Sequence, residues 1–297
     1  MLDRFGLREI KPTKTLIVVG HKLGKELNTI ASSDEIKKYQ QLVGCISYLN
    51  LVSRPDVSHV FSVLSQFLVN PNEDHLKAAY RAYAYLRGTM KHGLHYSPSA
   101  PSGQGIQAYV DSDWAGSDGR RSTTGWILTC AGAPISWSSK RQSTVALSSC
   151  EAEYITACEA GKELIWFKGL LDDLKLSEQL GVNKGIILNI DNESAIKLTK
   201  NPEFHARSKH IDLRYHWIRE KVESSEIIPR WVPTKKQLAD GFTKALGSPD
   251  FRLWCGMIGL KPMDYSSGSG EHESKSESSE TKSLDLDSGS ESDQGSE

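Results

Sequence analysis

No stretch of the chain comes near the roughly 20 consecutive apolar residues that a membrane-spanning helix requires, and the opening Met1-Leu-Asp-Arg-Phe-Gly6 has no apolar core of the kind a signal peptide carries. A soluble, intracellular protein with no membrane partner is the expectation. Cysteine is sparse: Cys45, Cys130, Cys150, Cys158 and Cys255 are odd in number, scattered and without a C-x-x-C pair. They read as reduced thiols, not as a disulfide framework. Net charge is nearly missing as well, at −1 over 297 residues, but the balance conceals an asymmetry. Residues 266–297 hold nine acids against Lys275 and Lys282, a charge of −7 that leaves +6 for the rest. A modestly basic body suits a polyanionic partner without requiring one. The acidic tail, rich in Ser and Gly and poor in apolar residues, cannot bury enough surface to offset ordering and is expected to be disordered.

What is present suffices for one large domain or two small ones. Residues 1–31 are irregular. From Ser32 the chain turns helical, with Ser32-x-x-Glu35 as a capping box and Ile36, Tyr39, Val43, Ile46 and Leu49 at three- and four-residue spacing. Pro55 suits the first turn of a second helix with Val57, Val60, Phe61, Leu64 and Phe67 on its apolar side. After the Asn70-Pro71-Asn72 break a third carries Leu76, Ala79, Tyr80, Tyr83 and Leu86. These helices hold no identifiable chemistry and read as a packing or nucleic-acid-guiding subdomain.

Beyond Pro101 strands alternate with helices. In Ile106-Gln-Ala-Tyr-Val-Asp-Ser-Asp113 an apolar alternation runs into two acids, so a strand delivers Asp111 or Asp113, which share one face. Gly125–Cys130 and Pro134–Ser139 read as two more strands joined at Ala131-Gly132. A long helix is predicted from about Ser149 to Leu174, opened by a second capping box, Ser148-x-x-Glu151. Glu151 and Glu153 lie about 200° apart on that helix and cannot serve one site. Glu151 caps, which leaves Glu153 to face the sheet edge. Gly185 to Asp191 is a further strand ending in an acid, with Asn192 placed to cap the helix from Glu193. Residues 203–222 form a basic, aromatic, helix-like stretch with His205, Arg207, Lys209, His210, Arg214, His216 and Arg219. Strand-like Ile227–Val232 leads to a third capping box, Thr234-x-x-Gln237, and to a last helix on which Asp240 stands away from Leu238 and Phe242.

Four acids at element edges can converge: Asp111, Glu153, Asp191 and Asp240. Carboxylates about 4 Å apart repel by roughly 4 kcal/mol per pair at an effective dielectric near 20, so protons or cations must compensate. Hard oxygen ligands favour Mg²⁺, and two such ions can activate a water and stabilise the leaving oxygen of an in-line phosphodiester displacement.

The order Asp, Glu, Asp, Asp on strand, helix, strand and helix resembles the ribonuclease H fold. Several words are similar to the ribonuclease H region of copia-type retrotransposon Pol polyproteins: Tyr109-Val-Asp-Ser-Asp-Trp-Ala-Gly116, Arg121-Ser-Thr-Thr-Gly125, Ser136-Trp-Ser-Ser-Lys-Arg-Gln142, Ser148-Ser-Cys-Glu-Ala-Glu-Tyr154, Asp191-Asn192, His205-Ala-Arg-Ser-Lys-His-Ile211 and Val232-Pro-Thr-Lys-Lys-Gln-Leu-Ala-Asp240. Arg4-Phe-Gly-Leu7 with Lys11-Pro-Thr13 resembles the end of the reverse transcriptase palm, and Tyr39-Gln-Gln-Leu-Val-Gly44, Ser53-Arg-Pro-Asp56 and Tyr85-Leu-Arg-Gly-Thr89 resemble the connecting region. The resemblance runs from about residue 4 to 246.

That resemblance implies an α/β, ribonuclease H-like mixed sheet flanked by helices over 101–247. A palm remnant over 1–31 and a helical connection or thumb-like region over 32–100 precede it; a C-terminal extension over 248–265 and the acidic tail over 266–297 follow. It implies a metal-dependent endonuclease that hydrolyses the RNA strand of RNA/DNA hybrids, with no polymerase activity in this fragment. Asp111, Glu153, Asp191 and Asp240 are then both catalytic and metal-binding, for two Mg²⁺ ions with Mn²⁺ as substitute, and Asp111 is preferred over Asp113 because it takes the first acidic place after Tyr-Val. Arg207, Lys209, His210, Arg214, Lys140 and Arg141 are expected on nucleic acid. The other partner is the rest of a Pol polyprotein, in the cytoplasm within virus-like particles or in the nucleus. Retroviral relatives often carry a histidine before the last acid; Trp231–Asp240 contains none.

Two other patterns weigh less. Asp172-Asp173 suggests a polymerase pair but ends a long helix, and His205, His210 and His216 lack the cysteine pair or H-E-x-x-H of a zinc site and sit among cations. The tryptophans at 114, 126, 137, 166 and 231 read as core. A catalytically idle nucleic-acid-binding remnant and a protein-interaction module are the alternatives to the nuclease.

Overall fold

A computed structural model of the chain describes residues 1–24, 30–97, 105–116, 120–200 and 209–263, with no side-chain description for 209–215. Met1–Met263 form one compact unit; Asp264–Glu297, and with them the expected disordered tail, lie outside the described residues. Three helices come first: α1 (Ser33–Val52), α2 (Ser58–Leu64) and α3 (Glu73–Gly88). The Ser32 box closes in both directions, and Asn72 builds a second one with His75 that the sequence reading passed over. Tyrosine hydroxyls tie the three together, Tyr39 donating to the Leu64 carbonyl at 2.9 Å and Tyr83 to that of Leu42 at 3.1 Å.

Short β1 (His92–Leu94) precedes the main sheet, built from β2 (Gln107–Asp113), β3 (Thr123–Cys130) and β4 (Ala133–Arg141). Then come α4 (Ser149–Asp173), β5 (Ile186–Ile190), α5 (Glu193–Lys200), α6 (Lys209–Glu223) and β6 (Ile227–Trp231). The strand order is β4-β3-β2-β5-β6, antiparallel from β4 to β2 and parallel from β2 to β6. This is the ribonuclease H-like mixed sheet that the resemblance implied. Alternation sorts its faces: Ala108, Val110 and Leu128 pack with Tyr154, Ala157 and Leu164 of α4, whereas Tyr109 and Ile127 turn to the cluster of α1–α3.

The chain after residue 240 returns to that helical cluster. After α7 (Asp240–Thr243), α8 (Ser248–Met257) buries Phe251, Trp254 and Cys255 in it, and β7 (Leu260–Pro262) pairs antiparallel with β1. Trp254 also donates its indole N–H to the Leu238 carbonyl at 2.8 Å, which anchors the approach to Asp240.

Two sequence readings fail. Thr234-x-x-Gln237 is not a capping box: Gln237 is drawn inward, donating to the Val110 carbonyl at 2.8 Å and accepting from the Ala239 N–H at 3.1 Å, so it cannot reach back. The tryptophans are not all core. Trp114, Trp166 and Trp231 are 48%, 62% and 51% exposed, because they stand beyond the end of β2, on the outer side of α4 and at the end of edge strand β6. The buried indole is Trp254.

The words that resemble the connecting region hold a buried hydrogen-bond network. Arg54 and Asp56 form a buried bidentate pair at 2.9 and 2.7 Å; Tyr85 donates to Asp56 at 2.6 Å, and Arg54 donates to the Thr89 hydroxyl and carbonyl at 2.7 and 3.2 Å. Ser53-Arg-Pro-Asp56 and Tyr85-Leu-Arg-Gly-Thr89 are thus two halves of one network. No helix among the described residues is long and apolar enough to cross a membrane.

Candidate active site

Parallel pairing puts Val110 opposite Ile190, so Asp111 and Asp191 emerge side by side where β2 and β5 approach their ends. Glu153 joins them from the first turn of α4. Its Oε1 accepts from the Ser112 backbone N–H and hydroxyl, each at 3.0 Å. The start of α4 is held to the sheet by Gln142, which donates to the Ala152 carbonyl at 3.0 Å and the Thr124 hydroxyl at 3.1 Å, and by a Thr124–Thr156 hydroxyl contact at 3.0 Å. Ser148 accepts from the Glu151 N–H at 3.1 Å, while the Glu151 carboxylate takes the Leu147 N–H at 2.7 Å. Glu151 therefore serves the helix start and Glu153 the sheet edge.

One carboxylate oxygen each from Asp111, Glu153 and Asp191 lies within 4.8 Å of the others. Glu153 is 5% exposed and its Oε2 is buried with no hydrogen-bond partner. Burial first, then the charges of Asp111 and Asp191, push its carboxyl well above the usual range against the Ser112 hydrogen bonds. Burial and Asp111 also raise Asp191, whose Oδ2 accepts from the Thr234 hydroxyl at 3.3 Å.

Asp240, first residue of α7, stands at the rim of this triad. Its Oδ1 makes an ion pair with Lys244 Nζ at 2.9 Å, and the same ammonium lies 4.0 Å from Asp111 Oδ2. Thr243 donates to that Asp111 oxygen. Burial, then Asp111, pushes Asp240 up to about 6 despite Lys244. Asp113, raised by burial and by Asp111, is outside the triad.

No protein-family profile matches the chain. Its sequence is 40% identical over 265 residues to the retrovirus-related Pol polyprotein from transposon TNT 1-94 of Nicotiana tabacum, covering 88% of this chain and 19% of that one. It is 36% identical over 261 residues to the retrovirus-related Pol polyprotein from transposon RE1 of Arabidopsis thaliana, covering 88% and 17%. The chain belongs to the copia-type Pol polyproteins. It spans less than a fifth of the length of these relatives. Among solved structures, LC11-RNase H1 isolated from compost is 18% identical, with 47% of this chain and 93% of that one aligned at a TM-score of 0.36. The foamy viral protease-reverse transcriptase in complex with RNA/DNA hybrid is 14% identical, with 67% and 25% aligned at 0.38. At those scores the fold assignment rests on the strand order of the sheet.

In this copia-type Pol fragment the sequence-predicted nucleic-acid contacts are only partly placed. Lys140 is exposed and Arg141 half-buried at the end of β4, beside Thr123 of β3. Arg207 lies outside the described residues, as do the side chains of Lys209, His210 and Arg214 at the start of α6. Asp172 ends α4 paired with Lys168 at 3.0 Å and with Ser177, a solvated helix end. Sequence reading missed Thr243, Lys244, Gln142 and Gly125. Lys244 left a signal in its spacing of four from Asp240, and Gly125 and Gln142 close two of the words that resemble the family, without a role being legible there.

Gly125 faces Asp111 across the β2–β3 ladder, and a methyl group there would lie 2.5 Å from Thr243 Cγ2 and 2.9 Å from Phe242 Cβ. Gly125→Ala must push α7, with Asp240 and Thr243, off the sheet. Overpacking of this kind costs about 1–3 kcal/mol. A larger fractional loss of the hybrid cleavage that the resemblance implies than of folded protein is expected, read by activity beside circular dichroism; activity equal to that of the parental chain would show that α7 tolerates displacement.

The raised carboxyls make the metal-free protein pH-sensitive. A carboxyl with a folded pKa above its unfolded value takes up a proton in the folded state first, so stability falls as pH rises between those two values. Asp240 contributes in this sense from about 4 to about 6, and Glu153 and Asp191 act in the same direction. Asp3, Glu35 and Asp172, which are solvent-exposed, and Glu226, which is partly so, are shifted downward and offset little. His59, pushed down to about 4 by burial, and His92, lowered by burial, act in the opposite direction over the same range. Between pH 5 and pH 7.5 the Tm in EDTA should therefore change in a more destabilising sense in the parental chain than in Asp240→Asn, which keeps the histidines and lacks the raised carboxyl. The same pH dependence in both chains would mean that the cluster is not strained when metal-free.

Proposed function

We propose that the chain is a metal-dependent ribonuclease H that hydrolyses the RNA strand of RNA/DNA hybrids during retrotransposon reverse transcription. Residues 101–247 would form the nuclease and 32–100 a connection that braces it. The carrying observation is the convergence of Asp111, Glu153 and Asp191 around a buried, unpartnered Glu153 oxygen. The donor set, hard carboxylate oxygens only, fits Mg²⁺ or Mn²⁺.

Asp111, Glu153 and Asp191 would hold the metal, with Asp240 available to a second ion. When bound, Mg²⁺ supplies activation of water and stabilisation of charge on the phosphodiester under in-line attack. The chain's own part is positional. Ser112 fixes Glu153, Thr234 orients Asp191, Thr243 orients Asp111, and Trp254 anchors the approach to α7. The basic residues at 207–219 and at 140–141 would take phosphates, and A-form width with 2′-hydroxyls would select the hybrid.

A second reading, hybrid binding without turnover, draws on one observation: Lys244 already neutralises part of the cluster. A labelled hybrid with Mg²⁺ separates the two. The nuclease reading expects RNA fragments from the hybrid and none from the corresponding DNA duplex. Salt-sensitive binding with an intact RNA strand would leave the second.

A further inference from the structure

The triad that can share one ion consists of Asp111, Glu153 and Asp191, and Asp240 is not part of it. What Asp240 has instead is a lysine. Lys244 Nζ is 2.9 Å from Asp240 Oδ1 and 4.0 Å from Asp111 Oδ2, between the two carboxylates that would hold a second divalent ion. The neighbouring Thr243 hydroxyl already occupies that Asp111 oxygen. Residues 243 and 244 thus grip both carboxylates at once, where the chain leaves α7. The Lys244 side chain is 42% exposed, so it keeps water on one side while the two carboxylates replace the hydration it loses on the other. An ammonium between them repels any divalent ion that approaches it.

We infer that Lys244 is the resident cation of the Asp240 side of the cluster, a positioning residue that holds the place of a second divalent ion. The protein free of nucleic acid then carries one divalent ion, on Asp111, Glu153 and Asp191. The inference rests on the nuclease reading for that first ion, but the pairing of Lys244 with Asp240 is testable without any metal.

Two measurements on the full chain decide it. Free Mn²⁺ is followed by electron paramagnetic resonance as it is added to metal-free protein. One bound ion is expected for the parental chain and for Lys244→Arg, and two for Lys244→Met, the second at least about tenfold tighter than any second ion on the parent. Equal counts and affinities in parent and Lys244→Met would overturn the inference. Thermal unfolding in EDTA at neutral pH is the second. Lys244→Met should lower Tm, and adding Asp240→Asn should restore most of the loss, because the uncompensated charge goes with it. An unchanged Tm in Lys244→Met would overturn the inference even if the parent bound no metal. Equal Mn²⁺ binding by the parent and Glu153→Gln would instead remove the metal site of the nuclease reading, leaving the unfolding comparison to judge Lys244.

Discussion

A Glu153→Gln chain is expected to bind RNA/DNA hybrid and leave it uncut, with cleavage down by about a thousandfold or more. The amide keeps an oxygen for the Ser112 N–H and hydroxyl, so the start of α4 should stay where it is. What disappears is the buried charge beside Asp111 and Asp191. Binding should hold or tighten, since a negative group near phosphate is gone. The same substitution should raise the metal-free Tm at neutral pH, because the fold no longer confines a third carboxylate there. Loss of activity with a raised Tm is a signature that simple misfolding cannot produce. Asp191→Asn should behave alike in cleavage, and Asp113→Asn should be nearly silent, since Asp113 lies outside the converging triad. Comparable losses at 111 and 113 would mean that the strand uses its second acid. Parental rates in Glu153→Gln would remove the metal-dependent mechanism.

The largest effect on folding should come from Asp56, far from the chemistry. Its carboxylate is fully buried, gripped by Arg54 and by the Tyr85 hydroxyl, and the Cys255 thiol beside it is pushed up to about 12, mainly by burial. Asp56→Ala would leave the Arg54 guanidinium buried without its counter-charge. Breaking such a pair costs about 3–5 kcal/mol, a large part of a domain's stability. Urea unfolding should show the midpoint collapse in Asp56→Ala and recover substantially in Asp56→Ala/Arg54→Met, where neither charge remains. If the double variant is no better than the single one, the network matters for its shape and not for charge compensation.

Both predictions come from words that were visible in the sequence, but visible in different senses. For the acids, local rules were enough to nominate candidates. Strand alternation brought Asp111 to the end of β2 on one face with Asp113, helix geometry separated Glu151 from Glu153, and Asn192 marked where β5 gives way to α5. The Asn192 side chain does accept the Ala195 N–H, at 3.0 Å. For Ser53-Arg-Pro-Asp56 and Tyr85-Leu-Arg-Gly-Thr89, likeness to a family located the words without revealing their work. The two segments meet only when α3 lies beside the turn before α2.

The misreadings have one cause. Thr234 and Gln237 have capping-box spacing, yet the Val110 carbonyl offered Gln237 a buried partner that no spacing rule contains. Trp166 and Trp231 have the bulk of core residues, but one stands on the outer side of α4 and the other on an edge strand.

Alternation, periodicity and capping residues by themselves determined where strands and helices run and which acids reach their edges, because those properties depend on neighbours within a few positions. Which carboxylates meet, that Lys244 comes to lie between Asp240 and Asp111, and that α8 and Trp254 close the helical core were decided by the tertiary structure alone. Contacts across 41 and 132 residues, Ser112 to Glu153 and Asp111 to Thr243, depend on how β2, α4 and α7 pack, and no local pattern encodes that.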